Sequence, residues 1–562
     1  MECLWVASPD TAAAIRAHHR GRLKPADLTK LALTTSRYLA RLRSRATPFG
    51  LFAGVALGTV GEAAAIRLGD RHAKTGRPDG DCLAEVARRI ESELAADGEV
   101  LLMAHPLCQV RGDRLERITA TSTVTVRANA LVQAVIRQLD RSRTMPELLA
   151  ELDQRFPALG RDKILGVVRV LLAQGFLVSD VLADLTEADP LPRLCSLATT
   201  GTTGLSTAAE ALGEYLKRPP GTAESELIGA RERLTAVAGD GSPQVDLLVD
   251  AEVTVPAHVL TEAAAAATVL WRVSAPRSAM AELADFRDAL MERYGYNVVV
   301  PIVEALDPVH GLDAPAGYRN PVSTRTVEAN PPSRDVAVLG RLIQEATMEG
   351  RREIVLTEEV IAALDEDPQS PVWRSTSLNF HLLADSTDAI DRGDYTVLCA
   401  AGGLSRRAGQ VHGRFVHALG AVDTLTDVFA ADGEAGGVEQ VQLSYRPVSD
   451  RMSNVMRVPR LTARTVSLDS PTPAELRVGD LGVCADESGL AIVSLHDGAE
   501  LEACAGHMAN SGDFAPNIAR FISEVELLNT RVAAPWSWRD LEALPFLPRV
   551  RHGRVVLRPC RG

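Results

Sequence analysis

Apolar and basic positions recur at helical spacing through residues 10–45, and the pattern stops at Thr47-Pro48-Phe49-Gly50. Proline disfavours a helical conformation in the residue before it, and glycine admits backbone geometry that other residues resist, so the helical stretch should end there. The apolar run Leu51–Gly58 then reads as a strand, Arg77-Pro78-Asp79-Gly80 as a turn and Cys82–Ala96 as a helix. Residues 106–180 keep a different rhythm. Two short apolar runs, Cys108–Val110 and Leu115–Ile118, flank Arg111-Gly112-Asp113-Arg114 as in a hairpin, and Thr121–Val126 alternates as a third strand. Helical patterns follow over Ala130–Leu139, Met145–Phe156 and Arg161–Gln174. Thr144 and Glu147 have capping-box spacing, and Gly175 stands where a helix favours glycine just past its end.

Beyond Pro190 and Pro192 the chain reads as helices over 205–238, a strand at Gln244–Val249, and helices over 257–273 and 278–293. A proline-rich loop follows over 308–332. Strands then dominate: Phe380–Leu383, Tyr395–Ala400, Val438–Leu443, Ala463–Leu468, Leu490–Ser494 and Arg554–Leu557. The expected fold is α+β, with several mixed subdomains. Three strands followed by three helices over 105–185 describe an inserted winged helix-turn-helix module between an amino-terminal part, 1–104, and the remainder, 186–562.

Charge adds two local features to an acidic body. The 562 residues carry a net charge of −13, which argues against a protein coated in nucleic acid. Yet Arg16–Arg45 holds nine Lys or Arg against the single acid Asp27, and Arg531 to the end holds seven Arg against Asp540 and Glu542. Two basic ends suit a polyanionic partner touching one face. The eight cysteines are scattered without a C-x-x-C pair, as expected of free thiols in a reducing cytoplasm. No run of 18 apolar residues points to a membrane, and no amino-terminal stretch reads as a signal peptide. Phosphate-loop, zinc-protease, calcium-loop and serine-hydrolase signatures are all missing, and no His or Cys cluster has metal-ligand spacing. Mixed charges over 130–175 give no basic recognition stripe for DNA.

The stretch from Ser36 to Gly54, an Arg-rich helix running into R-x-T-P-F-G-L-F-A-G, resembles the signature of the lantibiotic dehydratases. Further segments resemble the same family in order: Arg77-Pro78-Asp79-Gly80, Arg293-Tyr294-Gly295, Val300-Pro301, Leu306-Asp307, Gly413-Arg414-Phe415, Asn454-Val455, and Leu547-Pro548-Arg549-Val550 with Gly553-Arg554-Val555. The resemblance implies the domain that moves glutamate from glutamyl-tRNA onto Ser and Thr side chains of a ribosomally made precursor peptide, with the charged tRNA as co-substrate and no other cofactor. Matching positions make Arg41, Arg45, Thr47, Asp79, Asp246 and Arg414 the candidate catalytic residues. Arg41 and Arg45 would hold phosphates or the glutamyl carboxylate, and Asp79 or Asp246 the α-ammonium or the hydroxyl proton. Arg37, Arg43, Arg549 and Arg554 are candidate tRNA contacts. The winged-helix module resembles a precursor-recognition element, which would place the peptide along Thr123, Val124, Thr125 and Val126 and beside Ile164, Val168 and Leu171.

An upstream strand with a further arginine and a downstream eliminating domain, both usual in the family, have no counterpart in this sequence. Elimination is therefore expected from a separate protein, and a homodimer is expected by family analogy. Two rivals stay open: a ligase that adds an amino acid from aminoacyl-tRNA to a peptide C-terminus, and a non-catalytic scaffold that binds the precursor.

Overall fold

Helices Pro9–His19 and Pro25–Ser44 both open on a proline, whose missing N–H costs nothing in the first helical turn. In the computed structural model, residues 1–561 are described apart from 95–97, 120–121, 240, 276–279, 329–334, 372–373, 472–475 and 532. The tail of the helix expected over 82–96, the start of that over 278–293, Thr121, Pro331 and Pro332 lie outside the described residues.

Helices and several sheets with both parallel and antiparallel pairs share the chain, a mixed α and β fold. A seven-stranded sheet runs in the order 300–301, 481–485, 490–494, 500–504, 439–444, 464–467, 476–477, and a five-stranded sheet in the order 353–355, 549–552, 555–558, 396–404, 378–383. The strand Leu481–Ala485 is covered on both faces, which explains its nearly unbroken apolar run, whereas Glu439–Ser444 buries Gln440 and Gln442 along with Val441 and Leu443. Helices Asp335–Met348, Glu358–Leu364 and Val422–Gly436 interrupt the region that reads as strand-dominated. Their apolar positions pack one face only, a weaker signal than a buried strand gives.

The hairpin Cys108–Arg111 and Arg114–Ile118, the strand Thr123–Arg127 and helices Ala130–Gln138, Met145–Arg155 and Arg161–Ala173 form in the expected order. Thr144 and Glu147 close a capping box, and Gly175 takes a positive φ of 72° after the last helix. The buried side chains here join one core with Cys82–Ile90 and with Leu191, Leu205 and Leu234.

One expected strand is absent. Residues 51–57 form bends with a single bridge at Val55, and a strand starts only at Gly58. Leu51 is buried and Phe52 stacks on Tyr38 with ring centroids 5.4 Å apart, so aromatic docking rather than ladder bonding holds the segment.

The amino-terminal helix Glu2–Ala7 is tied down by charge. Lys74 Nζ donates to Glu2 Oε1 at 2.9 Å, with both side chains out of solvent. Tyr215 Oη and Ala223 N–H also donate to that carboxylate, at 2.9 and 3.0 Å. Glu2→Ala should leave a buried ammonium unpaired and destabilise the fold by about 3–5 kcal/mol, lowering the urea midpoint. The pair Glu2→Leu with Lys74→Met should restore most of the loss. A single-variant cost below about 1 kcal/mol would show that the pair behaves as a solvated one.

Candidate functional site

Strands Ala73–Pro78 and Pro243–Leu248 pair antiparallel, with Gln244 opposite Arg77 and Asp246 opposite Thr75. Side chains alternate across a strand, so Lys74, Gly76, Val245 and Leu247 share one face and Thr75, Arg77, Gln244 and Asp246 the other. The first face is the core face: Val245 packs with Leu51, Leu212 and Tyr215. The second is polar. Arg414, in the short helix Gly413–Val416, brings Nη2 to 3.4 Å from Asp246 Oδ1, and Gln244 Nε2 donates to Asp246 Oδ2 at 3.2 Å. Arg77 Nη2 donates to the main-chain oxygen of Asn454 at 2.9 Å, while its Nε is buried without a partner. Burial is the largest influence on both Arg77 and Arg414 and draws their pKa values down, with the nearby Asp246 carboxylate opposing it.

Asp79 follows the first strand and caps the helix Gly80–Ser92, accepting from Asp81 N–H at 2.9 Å. Its other oxygen accepts from Asn454 Nδ2 at 2.9 Å, and Arg451 Nε stands 3.7 Å away. Asn454 Oδ1 in turn accepts from Gly80 N–H at 2.9 Å. The R-P-D-G segment is therefore a strand end and a helix start clamped by a distant asparagine, not a free turn. A Cβ on Gly80 would sit 2.2 Å from the Asp450 carbonyl oxygen, which accounts for the glycine. Asp79 is committed to these bonds, whereas Asp246 shares its face with two guanidinium groups.

The signature segment docks against the same pair of strands. Val55 N–H donates to Leu247 O at 2.9 Å, and Val249 N–H to Val55 O at 2.8 Å. A Cβ on Gly54 would fall 2.5 Å from Leu247 O, so only glycine permits this approach. The helix Pro25–Ser44 that leads into the segment has no buried residue. Arg41 Cζ lies 4.1 Å from the centroid of the Phe49 ring, a cation–π contact that fixes the guanidinium, and its Nε is buried without a partner. Arg37, Arg43, Arg45 and Thr47 are exposed. Arg37 and Arg41, four residues apart, share a helix face with Lys30, while Arg43 points away from it.

Two groups of predicted residues fall elsewhere. Arg549 lies on the five-stranded sheet and Arg554 in the turn between two of its strands, paired with Glu353 at 3.4 Å and with Glu262 at 3.2 Å. Arg558 pairs with Glu542, Arg531 with Asp365, Arg539 with Asp335 and Arg551 with Glu353, so most of the cations at the carboxyl end have carboxylate partners within the fold. Ile164, Val168 and Leu171 are 0%, 0% and 1% exposed and form the core, so they cannot line a peptide groove. On the same helix it is Val170 that is exposed. Thr123–Val126 stands at a sheet edge, bonded on one side only among the described residues.

A cavity of about 470 Å³ is lined by His105, Arg117, Arg446 and Asp469 among others. Burial lowers the His105 pKa to about 3 and lifts that of Asp469 to about 6. None of the predicted catalytic residues lines this cavity, so volume alone is a poor guide to the chemistry. Sequence reasoning passed over Arg77, Gln244 and Asn454. Period-two alternation around Asp246 places Gln244 on its face, but the register that adds Arg77 is not local information.

Similarity to known proteins extends over nearly the whole chain. A family model described as "Lantibiotic dehydratase, N terminus" matches residues 1–561. The crystal structure of the tRNA-dependent lantibiotic dehydratase MibB from Microbispora sp. 107891 superposes with a TM-score of 0.91 at 31% identity, over 99% of this chain and 57% of that one. The glutamylation domain of TbtB from thiomuracin biosynthesis superposes with a TM-score of 0.65 over 99% of this chain and 71% of that one, and at 17% identity it speaks to the fold. The epidermin biosynthesis protein EpiB of Staphylococcus epidermidis is 20% identical over 551 residues, covering 93% of this chain and 54% of that protein. The chain spans about half the length of the curated relatives it matches. With the signature segment seated against the strand of Asp246, and a family model covering the chain nearly end to end, the protein belongs to the lantibiotic dehydratase family, corresponding to its amino-terminal part.

Proposed function

We propose that this chain transfers glutamate from glutamyl-tRNA to Ser and Thr hydroxyls of a ribosomally made precursor peptide, and that a separate protein then eliminates the glutamate. The observation that carries the reading is the convergence of Asp246, Arg414 and Arg77 on one polar sheet face beside the signature segment. The described tRNA dependence of MibB and the glutamylation assigned to the TbtB domain point the same way. In the transfer, a peptide hydroxyl attacks the ester carbonyl, the tRNA 3′ oxygen departs, and one proton passes from the hydroxyl to the leaving oxygen. Such a step needs a proton acceptor, a role proposed for Asp246, and N–H donors toward the developing oxyanion, a role proposed for Arg414. The exposed Arg37 and Arg45, with Arg41, would meet the tRNA backbone, where each cation displaces a condensed counterion.

The strand Thr123–Arg127 would take the precursor leader as an added strand. The ladder alternates from two bonds that fix its phase, Ala128 N–H to Asp113 O at 2.7 Å and Thr119 N–H to Ser122 O at 2.8 Å. By that alternation Val124 and Val126 bond inward, and the N–H groups of Thr123, Thr125 and Arg127 face the free edge.

The decisive test is mass spectrometry of the precursor after incubation with charged tRNA. Additions of one or more glutamyl groups are expected, and Arg414→Ala should slow them by about 100-fold or more, the usual cost of losing an oxyanion donor. Arg45→Ala should abolish the additions while leaving leader affinity unchanged. The absence both of glutamyl additions from the chain alone and of water losses with the partner protein present would end the proposal, and a product extended by an amide at the peptide C-terminus would replace it with the ligase reading. Thr125→Pro removes one edge donor without touching an inward bond and should weaken leader binding by about tenfold, measured by fluorescence anisotropy with a labelled leader. Unchanged affinity would move the leader off this edge.

A further inference from the structure

Arg117 lies on the strand Arg114–Ile118, two residues after Leu115, which is fully buried in the core. Side chains alternate along a strand, so Arg117 projects from the face that Leu115 buries, opposite Cys108 and Val124 in the register. Its guanidinium lies against the turn after the helix Arg161–Ala173, where a Cβ on Gly175 would fall 2.5 Å from Arg117 Nη2. Among the described residues Arg117 has no hydrogen bond and no ion pair, and its Nε is buried without a partner. Burial draws its pKa down, and Cys108 is the one group that opposes the effect. Burial also pushes the Cys108 thiol up to about 12, so no thiolate stands ready as a counter-ion at neutral pH. Arg117 and Gly175 line the cavity of about 470 Å³ together with His105. His105 Nδ1 accepts from Leu107 N–H at 3.2 Å, so the neutral ring carries its proton on Nε2, a second donor without a partner among the described residues.

The carboxyl groups around this cavity are engaged elsewhere. Asp307 holds Arg111 and the N–H groups of Val309 and His310, and Asp313 holds the N–H groups of Ala314 and Thr324 and the Thr324 hydroxyl. Asp469 accepts from Arg446 N–H at 2.7 Å, and Glu91 accepts from the Ser179 hydroxyl. None of the four acts on the charge of Arg117. A buried polar group normally finds a partner within the protein, so two unmatched donors on one cavity wall leave a place for an acceptor brought by a ligand. The rest of the lining is largely aliphatic, with Leu107, Ile118, Leu172, Val178, Leu306 and Val448 among it, and a mostly apolar cavity with a few convergent polar groups is the usual form of a small-molecule site. We propose that this cavity binds a small organic carboxylate with an apolar body, its head group held by Arg117 and His105. One cation without a counter-charge suits a monoanion. A phosphate monoester, at about −1.5 to −2 near neutral pH, would overcharge a cavity that already holds the carboxyl groups of Asp469 and Glu91. Arg41, Arg45, Asp79, Asp246 and Arg414 do not line the cavity, so the inference stands independently of the glutamyl-transfer reading.

The test uses the full chain with octanoate, octanamide and octyl phosphate as probes, and binding is followed by calorimetry. Octanoate should bind with a Kd below about 1 mM, and octanamide at least about tenfold more weakly, because the amide lacks the charge that a guanidinium matches. Octyl phosphate should bind more weakly than octanoate. Arg117→Met should abolish the preference for octanoate over octanamide, and its Tm should equal or exceed that of the wild-type chain, since it removes an unpaired, partly buried cation. Saturating octanoate should raise the Tm of the wild-type chain and leave that of Arg117→Met unchanged. No binding of octanoate, equal affinity for octanamide, or tighter binding of octyl phosphate would overturn the proposal. A full preference surviving in Arg117→Met would do the same. Should Arg117→Met fail to fold, a crystal of the wild-type chain soaked with octanoate decides: a carboxylate oxygen within hydrogen-bond distance of Arg117 supports the site, and no ligand there overturns it.

Discussion

The register between Ala73–Pro78 and Pro243–Leu248 is the constraint on which the site depends. Because side chains alternate with a period of two, a slip by one residue would exchange the two faces of the pair. Val245 would then leave the core it shares with Leu51 and Tyr215, and Lys74 would leave the Glu2 carboxylate. The cost of that exchange locks the register, and the locked register sets Arg77 and Asp246 side by side on the other face. Apolar burial and one buried ion pair thus position the polar chemistry without contributing a group to it. The same strand pair anchors the signature segment through Val55 and Gly54, so three stretches distant in sequence meet on one backbone scaffold.

Much of the fold was legible because its signals are short-range. The hairpin around Gly112, the capping box of Thr144 with Glu147 and the terminal Gly175 each lie within a few residues of what they control, and all three form as read. Residues 51–57 were misread because their apolar run suits a strand equally well. What decides against a ladder is the stacking of Phe52 on Tyr38 and the close passage of Gly54 over Leu247, both contacts between residues far apart in the chain.

The site was legible only in part, and for a related reason. Arg414 and Asp246 were both picked out from motifs, and they meet although 168 residues separate them. Arg549 and Arg554 were picked out from local charge, yet charge counting along the chain cannot see Glu353 and Glu262, which face them across the fold. Ile164, Val168 and Leu171 show the same limit for apolar residues: helical spacing identifies a face that needs burial, and the core shared with Cys82–Ile90 satisfies that need before any peptide arrives. Asp79 lies between these cases, a motif residue whose two oxygens serve a helix start and the clamp of Asn454.

The arginines of this protein divide by environment, and the division has chemical consequences. Those of the helix Pro25–Ser44 and its exit sit mostly in solvent, where a cation is cheap to keep and its attraction for a phosphate is screened within about 8 Å at physiological salt. They suit a partner recognised through many weak, sequence-independent contacts. Arg77 and Arg414 sit where burial lowers their pKa values, and there each hydrogen bond carries more weight and an unmatched donor carries a real penalty. Exposed cations suited to a long polyanion and buried guanidinium groups suited to one small anion are thereby kept apart. Arg41 stands at the boundary, its guanidinium fixed over Phe49 at the point where the exposed helix gives way to the docked segment. That contact, with the stack of Phe52 on Tyr38, joins the exposed helix to the segment docked on the two strands.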